Sequence, residues 1–282
     1  MRVSDYIVEF LLSHNIKHVF GYPGGMVTYL MDSFSKYDNI HPHVCYHEQA
    51  AAFEACAYAQ ASNTVGVAYA TSGPGATNMI TGICNAYFDS VPVLFITGQV
   101  NTFESGADYQ LRQRGFQETA IVNMVQDVTK YAVYVESAEK IKYYLEKAYT
   151  IALSGRKGPV LLDIPMNIQR TEVDVDSLES YTPDLKVEEK VVAEEKIKTI
   201  EDKLIKARRP CLILGAAMKQ FPKSRISEFV DNLGIPVVTS MMAIDLLAKS
   251  DQLNYGFIGA YGDRTANFVV AKSDLIVTLG SR

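Results

Sequence analysis

Residues 65–78 have the sequence VGVAYATSGPGATN. The apolar run 65–70 predicts a buried strand, the glycines and proline of 71–75 predict a loop, and a helix is predicted from Ala76 onward. Because strands that are apolar throughout lie inside parallel sheets covered on both faces, this stretch predicts an α/β fold. The same alternation surrounds it, with further strands predicted at 18–20, 41–47, 91–97 and 160–164 and helices at 26–37, 49–61, 76–88 and 137–154.

The pattern divides the chain into two domains of the same kind. Residues 1–170 form the first, 171–195 are acidic and are interpreted as a linker, and 196–282 begin a second, Rossmann-like domain. Its last apolar strand would leave one side of a parallel sheet uncovered. Either that strand is an edge strand, or the molecule continues in another chain, or the chain is a fragment. We favour the fragment, and we expect the chain to be the amino-terminal part of a longer protein with an incomplete second domain. Its predicted strands are 210–215, 236–240 and 275–280, and its predicted helices are 197–207 and 223–233.

Composition excludes several classes of protein. The chain has 282 residues, 48% of them hydrophobic, and a formal net charge of −5 at pH 7. This balance offers no strong basic surface for nucleic acid or an anionic membrane. No apolar run approaches the roughly 18 residues that a membrane-spanning helix needs. Four scattered cysteines, with Asp5 and Glu9 where a signal peptide would be apolar, predict a cytoplasmic protein with reduced thiols.

Glycine-rich and polar segments follow four of the predicted strands. In a parallel sheet, ligands bind beyond the carboxyl ends of the strands, and glycine lets the backbone approach a flat ligand closely. For any single loop, glycine and proline that merely make a turn are the simpler interpretation. The four loops together favour a ligand crevice. They are 21–25, 47–48, 71–78 and 98–99.

Glu48 is the acidic residue of greatest interest, since it stands between a strand and an alanine-rich helix. It could share a proton with a basic nitrogen of a ligand, or it could be a first-turn glutamate favoured by the helix dipole. Position alone leaves both readings open. The alternating residues His41, His43, Cys45 and His47 suggest a metal site. The first and last of them would lie about 20 Å apart on a strand, so we predict no metal there.

Common nucleotide and hydrolase motifs are missing from the sequence. It contains no G-x-x-x-x-G-K-[ST] phosphate loop and no G-x-S-x-G elbow. Residues 256–262 read GFIGAYG, which is not the G-x-G-x-x-G of a dinucleotide site. A nicotinamide-dependent dehydrogenase is therefore disfavoured.

Seven motifs resemble those of the thiamine-diphosphate-dependent acetolactate synthase family. They are VFGYPGG at 19–25, HEQAA at 47–51, ATSGPGATN at 70–78, DSVP at 89–92, ITGQ at 96–99, GFQE at 115–118 and SGRKGPV at 154–160. The resemblance covers the pyrimidine-binding amino-terminal domain and the start of the central domain. Family members continue into a pyrophosphate-binding domain that carries the Mg²⁺ ligands, which supports the expectation of a longer protein.

The resemblance implies roles for particular residues. Glu48 would hydrogen-bond the aminopyrimidine ring of thiamine diphosphate as the catalytic acid. The other implied contacts are Tyr22, Pro23 and Gly24 lining the pyrimidine pocket, Asn78 and Gln117 near cofactor or substrate, and Phe116 at the reaction centre. Arg156 matches a position that meets FAD in the synthases, but it could equally be structural. Met166 and Tyr261 stand where the family usually carries lysine and histidine, which argues against bound FAD.

The expected function is decarboxylation of a 2-keto acid and coupling of the product to a second carbonyl compound, as in acetolactate formation from two pyruvates. The full-length enzyme would be a homodimer or homotetramer, and this chain alone would be inactive. Alternatives are another keto-acid decarboxylase or carboligase of the superfamily, a non-catalytic binding module, and half of a split enzyme.

Overall fold

The computed structural model describes residues 1–106, 111–183 and 194–281. The chain forms two compact units, Met1–Leu185 and Lys186–Arg282. Each unit contains a parallel sheet with helices against it, which confirms the predicted α/β class.

The first unit is built on a six-stranded sheet in the order β2-β1-β3-β4-β6-β5, with every neighbouring pair parallel. The strands are β1 (His18–Gly21), β2 (His41–Val44), β3 (Gly66–Ala70), β4 (Val93–Gln99), β5 (Tyr131–Tyr134) and β6 (Val160–Pro165). The central strands β3, β4 and β6 are buried along their whole length. Burial on both faces explains why their sequences are apolar at successive positions.

Helices cover both faces of this sheet. They are α1 (Val3–Ser13), α2 (Thr28–Phe34), α3 (Glu48–Ser62), α4 (Pro74–Asn78), α5 (Ile80–Asp89), α6 (Ile121–Val125), α7 (Ile141–Leu153) and α8 (Met166–Arg170). The first unit has two hydrophobic clusters, and alternate side chains of β3 pack into different ones. Val67 and Tyr69 belong to one cluster, and Ala68 and Ala70 belong to the other. Alanines of α3 let that helix lie close to the sheet, and a side chain on Gly66 would meet the Ala55 carbonyl oxygen.

The two outer strands differ from the prediction. The strand predicted at 41–47 ends at Val44, and all four residues of β2 are exposed because it is an edge strand of this unit. β5 forms the opposite edge and was not predicted, although residues 131–135 read YAVYV and are apolar throughout; its four residues are half-buried. The strand predicted at 160–164 therefore lies inside the sheet, between β4 and β5.

The start of the predicted linker 171–195 packs on the first unit. The amide of Val3 donates to the carbonyl oxygen of Thr171 at 2.9 Å, and Leu178 is buried in a core cluster of this unit. The described residues 171–183 therefore belong to the same compact unit as residues 1–170, and the domain boundary at residue 170 stays a prediction. Residues 184–193 of the predicted linker lie outside the described part of the chain.

The second unit contains a four-stranded parallel sheet in the order β10-β7-β8-β9. Its elements are α9 (Glu194–Lys206), β7 (Pro210–Leu214), α10 (Lys223–Leu233), β8 (Val237–Thr239), β9 (Asn254–Phe257), α11 (Arg264–Lys272) and β10 (Leu275–Leu279). β9 and α11 were not predicted. Across the described residues of both units, no helix combines the length and the apolar character required to cross a membrane.

Asp163 is a buried acid in the middle of β6, with 2% of its surface exposed. Burial raises the pKa of Asp163 to about 7, against the opposing effect of hydrogen bonds from Thr97 and Gln99. Between an unfolded pKa of 3.8 and pH 7, the folded state keeps a proton that the unfolded state has lost. The free energy of unfolding should therefore fall by a few kcal/mol as the pH rises through this window.

Asp163→Asn removes the titrating group, so this part of the pH dependence should disappear from the variant. Urea unfolding of both proteins from pH 4 to pH 8 measures the difference. Parallel pH profiles for the wild type and the variant would show that Asp163 carries the same proton in both states.

Candidate functional site

Four neighbouring strands of the first sheet, β2, β1, β3 and β4, are parallel, so their carboxyl ends lie along the same edge of the sheet. Here the edge means the carboxyl ends of the strands and not the outer strands β2 and β5. The loops that follow them therefore lie side by side, as expected for parallel strands. This edge carries residues 21–25, 47–48 and 71–78, and it includes Gln99 at the end of β4.

Glu48 and Asn78 form the central contact of this edge. Glu48 is the first residue of α3 and is half-buried, while Asn78 is the last residue of α4. The Asn78 amide Nδ2 donates a hydrogen bond to Glu48 Oε2 at 2.9 Å. The other oxygen faces the backbone of Gly75, where an added Cβ would lie 3.2 Å from Oε1. One carboxylate oxygen is thus held by Asn78, and the other lies next to the backbone of Gly75.

The loop after β1 packs directly on the loop after β3. The Met26 amide donates to Thr71 Oγ1 at 3.1 Å, and a Cβ added to Gly24 would lie only 2.4 Å from Thr71 Cβ. Tyr22 is partly exposed, with its ring centroid 6.5 Å from that of Tyr46. Pro23 is exposed beside it.

Gln117 reaches the same edge from a distant part of the sequence. Its backbone has a φ of 59°, which is uncommon for a residue other than glycine. It lies against Gly73, which has a φ of 65°, and a Cβ added to Gly73 would be 2.7 Å from Gln117 Cβ. The neighbouring Phe116 is 76% exposed. The structure therefore brings Gln117 to the loop of Gly73 and leaves the ring of Phe116 largely exposed.

Glu118 organises the loop next to this turn. Its Oε1 accepts hydrogen bonds from the Gly106 amide at 2.8 Å and the Ser105 hydroxyl at 3.1 Å. Its Oε2 accepts from the amides of Arg114 at 2.9 Å and Gly115 at 3.2 Å. Burial raises the pKa of Glu118, but these hydrogen bonds outweigh that effect and lower it overall. The carboxylate form is thus the one that fastens the loop.

Ser72 contributes a buried hydroxyl to the same edge. Its side chain is almost fully buried, and Oγ has no hydrogen-bond partner within the described ranges. Buried polar groups normally find a partner, so this hydroxyl is available to a ligand or to water.

Arg156 lies at the opposite end of the strands, where β4 and β6 begin. Its Nε donates to Ser90 Oγ at 2.6 Å, and these two residues precede β6 and β4 respectively. The structure therefore does not bring Arg156 to Glu48. Of the alternating histidines, His41 and His43 both lie against His18, with ring centroids 5.2 and 5.1 Å away, whereas His47 caps α3. No group of three or more metal-ligating side chains is found in the part of the chain that the structure describes.

Sequence reasoning did not identify three residues that build this edge. Thr71 and Glu118 stood inside quoted motifs but were assigned no role. Asp163 carried the clearest signal, because it is a lone acid in the otherwise apolar strand β6. Its partners on β4, Gln99 and Thr97, became apparent only from strand pairing.

Comparisons with known proteins identify the family of this chain. The family model for the thiamine pyrophosphate enzyme, N-terminal TPP binding domain, matches residues 1–125, and the model for the central domain of the same enzymes matches 197–282. The chain is 34% identical over 281 residues to the acetolactate synthase large subunit of Lactococcus lactis subsp. lactis (strain IL1403), which covers 99% of this chain and 48% of that protein. It is 37% identical over 284 residues to the chloroplastic acetolactate synthase 2 of Zea mays, covering 99% of this chain and 43% of that protein.

A third relative, the acetolactate synthase isozyme 1 large subunit of Escherichia coli (strain K12), is 33% identical over 279 residues, covering 99% of this chain and 48% of that protein. The chain spans about half the length of the curated relatives it matches. The chain belongs to the thiamine pyrophosphate enzymes, whose N-terminal and central domain models it matches. Within that family, the three relatives named above are two acetolactate synthase large subunits and a chloroplastic acetolactate synthase.

Proposed function

We propose that the full-length protein uses thiamine diphosphate to decarboxylate a 2-keto acid and to couple the product to a second carbonyl compound. Formation of 2-acetolactate and carbon dioxide from two pyruvates is the reaction we favour. The observation that carries this proposal is the Glu48–Asn78 pair at a glycine-lined sheet edge, within the matched N-terminal domain. The family relationship to acetolactate synthases supports the choice of substrates.

The residues at this edge fit the pyrimidine half of thiamine diphosphate. Gly24, Gly73 and Gly75 let the backbones of these loops pack closely together, because a Cβ at any of them would collide with Thr71 or Gln117. The carboxylate of Glu48 and the unpartnered hydroxyl of Ser72 supply polar groups beside these loops. A flat heteroaromatic ring needs this combination of close backbone and a few polar contacts.

When bound, thiamine diphosphate supplies the nucleophilic carbon and the electron sink for decarboxylation. Glu48 would hold a proton between its free carboxylate oxygen and a ring nitrogen, while Asn78 keeps that carboxylate oriented. Tyr22 and Pro23 would line the ring pocket. Gln117, which lies against Gly73, would face the keto acid, with Phe116 beside it.

The diphosphate and Mg²⁺ would be held by the pyrophosphate-binding domain that the family resemblance implies. We assign no FAD contact to Arg156, since it hydrogen-bonds Ser90 at the opposite end of the strands. Met166 and Tyr261, which replace the usual lysine and histidine, also argue against FAD.

We propose a homodimer or homotetramer as the working form. Large apolar side chains are exposed around the Glu48 edge, including Tyr46 (92% exposed), Val44 and Phe53. They lie on β2, on α3 and between them, and their cover by a second copy would shield the site from water. A cytoplasmic location is proposed from the four free cysteines, three of which are buried.

The proposed function is tested by incubating the full-length enzyme with a panel of 2-keto acids in the presence of thiamine diphosphate and Mg²⁺. We expect release of carbon dioxide and formation of a 2-hydroxy-3-keto acid, with pyruvate as the donor. Release of carbon dioxide with an aldehyde as the product would indicate a decarboxylase instead. No consumption of any keto acid would refute the proposal.

A further inference from the structure

The turn that carries Gln117 is connected to the centre of the sheet through the side chain of Gln99. Nε2 of Gln99 donates to the Thr119 carbonyl oxygen at 2.8 Å and to Asp163 Oδ2 at 2.9 Å. Its Oε1 accepts from the Val100 amide at 3.0 Å. Both hydrogens of the Gln99 amide group and its oxygen are therefore engaged, which determines the orientation of the side chain.

Asp163 is fixed in turn by the strand pair β4–β6. It is buried and lies in register with Thr97, whose hydroxyl donates to Asp163 Oδ1 at 2.7 Å. Burying an acid costs folding free energy unless its oxygens are hydrogen-bonded. Packing alone therefore does not explain why an acid occupies this position. Its second oxygen, Oδ2, accepts a hydrogen bond from Gln99, which is the link to the turn.

The turn itself needs external support. Gln117 has a positive φ, and backbone conformations of this kind persist only where the surroundings enforce them. Gly115, at the start of the turn, rests on the Val100 side chain, where an added Cβ would lie 2.7 Å from Cγ1. Thr119, at its end, is held by Gln99. Both ends of the turn are thus seated on the carboxyl end of β4.

We propose that Asp163, acting through Gln99, is a positioning residue that holds the turn 115–119 so that Gln117 stays against Gly73. This inference rests on the proposed function, because the position of the turn matters to catalysis only if Gln117 faces the keto acid. Asp163 lies within the sheet and acts without touching substrate or cofactor.

Two neighbouring donors to the same acid allow a matched test in the full-length enzyme. Gln99→Met and Thr97→Val each remove one hydrogen bond to Asp163 from a buried residue of β4, but only Gln99 reaches Thr119. Amide hydrogen exchange at Glu118, which donates to the Gly115 carbonyl oxygen, reports on the turn. The kinetic constants kcat and KM for pyruvate are measured in parallel.

For Gln99→Met we expect exchange at Glu118 to accelerate roughly tenfold or more. We expect kcat to fall about 10- to 100-fold, because a small displacement of a positioned group is costly to the reaction rate. Thr97→Val should leave the exchange rate and kcat near wild type. Asp163→Asn should also retain activity, because its amide oxygen can still accept from Gln99, whereas Asp163→Ala should behave as Gln99→Met does.

Unchanged exchange at Glu118 in Gln99→Met would overturn the proposal, and so would equal losses in Thr97→Val and Gln99→Met. Faster exchange with an unchanged kcat would also overturn it, since the turn would then have no part in the reaction. A wild-type enzyme that consumes no keto acid would instead refute the proposed function. In that case the exchange measurements would still show whether Gln99 holds the turn.

Discussion

Replacing Glu48 with glutamine is expected to lower 2-keto-acid turnover by the full-length enzyme roughly 10²–10⁴-fold. The substitution removes the oxygen that can hold a proton but keeps the size and shape of the side chain. The glutamine Oε1 can still accept the hydrogen bond from Asn78, which now runs to Glu48 Oε2 at 2.9 Å. The fold should therefore be preserved while the reaction is lost.

Glu54→Gln is the matched control for this variant. Glu54 lies on the same helix, α3, and its carboxylate accepts a hydrogen bond from the Cys45 thiol at 3.2 Å. Removing this acid should leave turnover near wild type. Turnover is measured as pyruvate consumption, and the fold is checked by thermal unfolding of both variants. Undiminished consumption by Glu48→Gln would refute the role assigned to Glu48.

Gly73→Ala is expected to destabilise the first unit by roughly 3 kcal/mol or more, since it combines backbone strain with a steric clash. Gly73 has a φ of 65° and a ψ of −125°, a conformation that side chains strongly disfavour. The new methyl group would lie 2.7 Å from Gln117 Cβ and 2.9 Å from the Gln117 carbonyl oxygen. Any relaxation must separate the loop after β3 from the turn of Gln117, so turnover should fall as well.

Gly25→Ala tests whether this effect is specific. Gly25 belongs to the same group of loops, but no atom lies within 4 Å of an added Cβ there, and its φ is not positive. Urea unfolding should show a change well below that of Gly73→Ala. If both variants unfold like the wild type, the close approach of Gly73 to Gln117 does not exist in solution.

The sequence was most informative where burial is complete. β3, β4 and β6 are buried on both faces, so their apolar runs identified them without any knowledge of their neighbours. The edge strand β2 is exposed, and its extent was misjudged. The edge strand β5 is half-buried and was missed, although residues 131–135 are apolar throughout. The contacts of residues 171–181 with α1 and α7 were not predicted for a related reason, because they are made by backbone groups and a few side chains.

Local pattern was sufficient to predict the α/β class and the glycine-rich loops at one edge of the sheet, since hydrophobic periodicity and turn residues act over short stretches of chain. It was also sufficient to select Glu48 as a candidate acid. Tertiary structure alone decided that Glu48 meets Asn78, that Gln117 meets Gly73 and that Asp163 reaches the turn through Gln99. These contacts join residues far apart in sequence, and only the order and register of the parallel strands bring them within hydrogen-bonding or van der Waals distance.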